Sequence, residues 1–178
     1  MLKKILITLA AIVAIFVIVV AMQPSEFRVE RSTTIAAPAE IVFAQVNDLR
    51  KWDAWSPWAK LDPDAKITFE GPESGTGAIA KWSGNSQVGE GTMTLTESRP
   101  DEFIKIRTDF AKPMEMSNTT EFSFKPEDDQ THVNWTLYGH QNFMGKAFCL
   151  VMNGKKMMGE LLDKGLAQLK TVAEASNH

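Results

Sequence analysis

Hydrophobic and polar residues follow three different periods along this chain. From Ile5 to Met22 (ILITLAAIVAIFVIVVAM) there is no charge at all. As a helix this run would be about 27 Å long, close to the ~30 Å hydrocarbon core of a bilayer. The pattern then alternates with period two, which predicts strands. Phe27 to Ile35 is the first. Lys66 to Glu70 places Ile67 and Phe69 on one side, and Gly77 to Trp82 follows after GPESGTG, a loop of turn residues. Val88 to Glu97 sets Gly89, Gly91, Met93 and Leu95 on one face. Phe103 to Phe110 alternates Ile104, Ile106 and Phe110 with charges, Asn118 to Lys125 turns Phe122 and Phe124 inward, and His132 to His140 does the same with Val133, Trp135 and Leu137. Helical spacing is found in three places: Ile41, Val42, Val46 and Leu49 after Pro38, the apolar segment Phe143 to Met152 closed by Asn153-Gly154, and the last stretch, Met157 to Ala175. In that last stretch Met158, Leu161, Leu162, Gly165, Leu166, Leu169, Val172 and Ala173 form one wide stripe.

A stripe so wide needs a broad partner, and only strands precede it. The expected fold is therefore α+β: a curved antiparallel sheet, mostly a meander, wrapped around one long C-terminal helix and preceded by a transmembrane helix. Residues 1–25 read as anchor and linker, and 26–176 as one ligand-binding domain. A cleaved signal peptide is the rival reading of the first run. Its apolar region is usually about 7–15 residues and ends at a small-x-small site. Here the run is longer and Val19-Val20-Ala21 is a mediocre site, so an uncleaved anchor is expected. Lys3 and Lys4 favour an amino end in the cytoplasm and a domain on the periplasmic side, a bias that Arg28 and Arg31 weaken.

Gly165 costs a helix interior roughly 1 kcal/mol relative to Ala. Either it allows close packing against a strand, or it walls a cavity between helix and sheet. Gly89 and Gly91 raise the same question, since inward glycines bend a strand or leave open volume. On the cavity reading the ligand-binding residues are Trp82, Gly89, Gly91, Met93, Trp135, Met157, Met158, Leu161 and Gly165, and Gly165→Leu should fill volume without harming the fold. Trp52, Trp55 and Trp58 recur every three residues around Pro57. They read as a hydrophobic plug, or as the rim of a ligand entrance or of a surface dipping into headgroups.

Several segments together carry a family resemblance. They are RSTTIAAPAEIVFAQVNDLRKWDAWSPW, the G-T-G and W-S-G hairpin, G-E-G-T-M, H-V-N-W-T-L-Y-G and M-G-E-L-L-D-K-G-L-A-Q-L-K. In that order they resemble the START-like, Bet v 1-like helix-grip superfamily (SRPBCC), specifically its bacterial polyketide cyclase/dehydrase branch. The resemblance implies a helix-grip fold with a cavity for a hydrophobic small molecule or lipid. It implies no common catalytic set, so no catalytic residue is carried across.

Charge and chemistry narrow the choice. A formal net charge of −3 with no clustered basic face argues against nucleic acid as a partner. Cys149, the single cysteine, sits in an apolar run and reads as a buried small hydrophobe. His132 and His140 fall on the strand face opposite Val133 and Trp135, and His178 ends the chain, so no zinc set, metal site or other cofactor is expected. Glu97, in phase with Met93 and Leu95, is the one candidate inward acid, or else a strand-end residue at the mouth. The expected function is a membrane-anchored binding module. A polyketide cyclase/dehydratase-like enzyme and a structural envelope protein with a filled core stand as alternatives.

Overall fold

The computed structural model describes residues 1–113 and 115–177; His178 lies outside them. The alternating stretches become strands of a single sheet. In chain order the elements are α1 (Leu2–Met22), β1 (Glu26–Ile35), α2 (Ala39–Asn47), α3 (Trp52–Trp55, entered through a 3-10 turn at Leu49–Lys51), β2 (Lys66–Glu70), β3 (Ile79–Ser83), β4 (Glu90–Arg99), β5 (Phe103–Lys112), β6 (Met116–Glu127), β7 (Gln130–His140), α4 (Phe143–Met152) and α5 (Gly154–Ala175). The sheet runs β1-β7-β6-β5-β4-β3-β2, antiparallel throughout. β2 to β7 are the expected meander, and β1 adds itself beyond the last strand.

Register builds the core. Ile106 lies opposite Leu95 and Thr120, and Phe122 opposite Ile104 and Trp135, so the inner face is a largely apolar floor. Onto it α5 lays Leu162, Leu166, Leu169 and Ala173, all buried. The chain thus has the α+β helix-grip architecture anticipated above. Trp52 and Trp55 are buried as a plug over this floor, their rings 6.0 and 6.1 Å from that of Phe122. α1 has 21 residues and is long and apolar enough to cross a membrane, a description that a signal sequence also fits.

Two expectations fail here. Glu97 does not face inward: a β-bulge between Leu95 and Glu97 inserts one extra residue on β4 and reverses the phase. Glu97 then lies opposite Lys105 on the outer face and pairs with Arg99 at 3.6 Å. Cys149 is half-exposed rather than buried, because α4 buries none of its residues, and its sulfur accepts a hydrogen bond from Gln141 Nε2 at 2.8 Å. His132 and His140 do lie off the core face, half-exposed and exposed.

The outer face is held by cross-strand polar pairs. Tyr138 donates its hydroxyl to Glu121 Oε1 at 2.7 Å, and Lys105 Nζ lies 3.0 Å from the same oxygen. Burial, the largest influence, pushes the Glu121 carboxyl up. The hydrogen bonds from Tyr138 and Lys105, with the charges of Lys105 and Arg28, outweigh it and hold the group below its ordinary value. A depressed carboxylate stabilises the fold above its unfolded pKa, about 4.3, and that contribution is lost as pH falls through the folded value. Tyr138→Phe is therefore expected to cost about 1.5 kcal/mol at neutral pH and to move the acid-unfolding midpoint upward. Circular dichroism during acid titration checks this, and an unchanged midpoint would refute it.

Candidate functional site

The far half of the sheet extends beyond the reach of α5, so its inner face needs another cover. Leu49 to Ala65 supplies it. Pro57 and Pro63 keep α3 from continuing, and the chain beyond Trp55 crosses the sheet as loop. Between loop and sheet lies a chamber of about 200 Å³. Its floor is Ala80, Trp82, Met93 and Phe110; its roof includes Trp52, Trp58 and Ala59. Trp135 and Leu137 close the deep end, and from α5 only Met158 reaches it. The chamber thus lies between the sheet and the 49–65 segment more than between the sheet and α5. Ile67 and Phe69 of β2 line it yet remain 44% and 38% exposed, which marks the mouth.

Charged groups sit at the rim and are tied there. The Arg50 guanidinium lies 5.4 Å from the Phe69 ring centroid and donates to Glu73 O at 2.8 Å. Asp62 accepts from the backbone nitrogen of Asn85 at 2.6 Å. Deeper in, Asn118 and Thr120 are the polar contributions of β6. Among the described residues, two buried side-chain atoms, Trp135 Nε1 and Asn118 Oδ1, have no hydrogen-bond partner. An unpaired buried donor or acceptor costs about 1–3 kcal/mol. Among the described residues no group of three His, Cys, Asp or Glu side chains is placed to hold a metal ion.

Of the residues singled out in the sequence, Trp82, Met93, Trp135 and Met158 come together around the chamber; Gly89, Gly91, Met157, Leu161 and Gly165 do not line it. Gly91 leaves no open volume. The Trp82 ring occupies the space above it, fixed edge-on to Phe110 at 5.4 Å and by an Nε1 hydrogen bond to Val88 O at 3.0 Å. Gly89 precedes β4 in a left-handed turn at φ 66, where a side chain would strike the Lys112 carbonyl. At Gly165 the close-packing reading holds: an added Cβ would sit 2.6 Å from Trp135 Cζ3 and 3.0 Å from Pro57 Cδ. Met157 is exposed and Leu161 half-exposed on the flank of α5.

Residues not singled out as ligand-binding complete the walls: Ile67 and Phe69, Thr108 and Phe110, Asn118 and Thr120. Their signal was phase. Each shares its strand face with a residue already recognised as inward, so facing could have been propagated along β5 and β6 even through polar residues.

Compared with protein families, residues 26–174 match the profile described as "Polyketide cyclase / dehydrase and lipid transport". No curated protein sequence matches the chain. Solved structures share the fold. TTHA0849 from Thermus thermophilus is 17% identical with a TM-score of 0.60, over 85% of this chain and 100% of that one. CV1439 from Chromobacterium violaceum is 15% identical with a TM-score of 0.57, over 85% and 99%. Ara h 8.0201 is 9% identical with a TM-score of 0.54, over 82% and 99%.

Proposed function

Since this chain belongs to the polyketide cyclase/dehydrase and lipid transport family, we propose that it is a membrane-anchored module that binds a hydrophobic small molecule or lipid in the chamber beneath the 49–65 segment. The chamber carries the reading. It is walled mainly by tryptophan, methionine, phenylalanine and aliphatic side chains, and it opens at the β2 edge. Binding sites for small molecules are of this kind, concave and largely apolar with a few polar groups that orient the occupant. Thr108, Asn118 and Thr120 are polar residues of the sheet wall. They favour an occupant with an apolar body and a small polar group. The volume suits a compact molecule, or one segment of a longer lipid whose remainder leaves through the mouth. α1 supports the anchoring, and Lys3 and Lys4 at its head support a periplasmic domain.

Native mass spectrometry of the full chain released from detergent tests this reading. A discrete non-covalent small-molecule adduct is expected, and a chain that flies only at its own mass would overturn the proposal. Thr108, between Met93 and Asn118 on the chamber floor, gives the control. Thr108→Phe puts an aromatic ring into the space on a strand that tolerates it, so adduct occupancy should fall at least about tenfold with the thermal midpoint nearly unchanged. Undiminished occupancy would put the ligand elsewhere.

A further inference from the structure

α4 is the anomaly of the surface. It is a ten-residue helix, FMGKAFCLVM, with a single charge, and it buries none of its residues. Val151 is 68% exposed, Met144 64% and Phe148 54%, with Phe143, Leu150 and Met152 also in the open. A contiguous apolar surface of this kind is rare on a protein surrounded by water.

Its place in the fold says what covers it. Glu26 pairs with His140, and Ser25 O accepts a hydrogen bond from Gln141 N at 2.7 Å. α1, ending at Met22, and α4, starting at Phe143, therefore leave the sheet at the same end, and the two helices pack against each other. A bilayer crossed by α1 borders α4 directly. The charges nearby suit an anionic headgroup layer: Lys146 within α4, and Lys155 and Lys156, both exposed, just past the left-handed Asn153 turn.

We propose that α4 is a second membrane contact, lying in the bilayer interface with Phe148 and Val151 among the acyl chains, and with Lys146 of α4 and Lys155 and Lys156 at the start of α5 reaching the headgroups. This inference rests on the anchoring part of the functional reading. With α1 alone the domain would swivel about Gln23–Ser25. With α4 seated as well, its orientation to the lipid surface is fixed. Met158 on the chamber wall is then six residues beyond the end of a lipid-immersed helix.

The test is site-directed spin labelling of the full chain in phosphatidylethanolamine/phosphatidylglycerol nanodiscs, on a Cys149→Ser background. Phe148→Cys and Val151→Cys probe α4, Val13→Cys probes α1, and Ser123→Cys on the outer sheet face is the aqueous reference. Each is accepted only if its tryptophan emission matches the parent. The oxygen-to-nickel-chelate collision ratio at positions 148 and 151 should exceed that at 123 by about threefold or more, as for residues below the headgroups. Aqueous values at both, with position 13 in lipid, would overturn the inference and leave the anchor standing. Aqueous values at position 13 as well would overturn the anchor and the inference with it. Spin–spin broadening between α4 labels of two chains would show a second copy on this face and would also overturn it.

Discussion

Leu166→Ala is expected to lower the free energy of unfolding by about 2–5 kcal/mol, the range for truncating a buried leucine. Leu166 is buried on the stripe of α5, in the cluster that includes Leu162, Leu169, Phe122 and Trp135. The upper half of that range is expected, because the helix is held in place and the hole cannot close. Arg31 Nε donates to Asp163 at 3.1 Å, Lys170 Nζ to Thr34 O at 2.8 Å, and the backbone nitrogen of Ala36 to Glu174 at 2.8 Å. These contacts are half-exposed or exposed and add little energy one by one. Together they fix where α5 sits on β1. Guanidinium melts of the full chain in detergent, followed by tryptophan emission, measure the loss. A value below about 1 kcal/mol would mean that the stripe is not the organiser of the core.

Gly165→Leu should destabilise by about 3 kcal/mol, at the top of the usual range for overpacking. This reverses the expectation from sequence, in which the leucine filled empty space. The first added carbon would already be 2.6 Å from Trp135 and 3.0 Å from Pro57, and neither yields readily. Trp135 is buried, stacked on Phe122 at 4.8 Å and edge-on to Trp55 at 5.8 Å. Removing a helix-interior glycine returns at most about 1 kcal/mol. Near-UV circular dichroism should change with the melt, since the indole must move. Gly165→Ala should show the same sign at smaller size. A Gly165→Leu protein as stable as its parent would mean that the α5–β7 contact is looser than described.

Most of the fold was legible because alternation and helical stripes each follow one geometric period, and short turns between strands leave few topologies. β2 matches its expected span, Lys66–Glu70, and α4 its own, Phe143–Met152. Glu97 was misplaced because a bulge is invisible to period counting: one inserted residue flips everything after it. The glycines misled for another reason. A missing side chain says that space is needed there, not what takes it. At Gly91 the occupant is Trp82, and at Gly165 it is Trp135. The chamber was only partly foreseen, since its roof is the segment from Leu49 to Ala65, whose position depends on two prolines and on contacts distant in sequence. The tryptophan triplet forms plug and roof rather than the rim of the mouth. Trp55 belongs wholly to the plug, whereas Trp52 and Trp58 also face the chamber.

The pairing of the first strand with the last sets a schedule for synthesis. Glu26 cannot meet His140 until the ribosome has made roughly 110 further residues, about 5–20 s at ordinary elongation rates. α5, which fills the sheet, is made later still. Throughout that interval β1 waits as an unpaired strand just behind α1, with alternate apolar residues Phe27 and Val29 uncovered. Arg28, Glu30 and Arg31 break up this stretch and hinder its pairing with a neighbouring nascent chain. Arg28 and Glu30, which look incidental on the finished outer face, thus protect the polypeptide while it is incomplete, and so does Arg31, which later reaches Asp163 of α5.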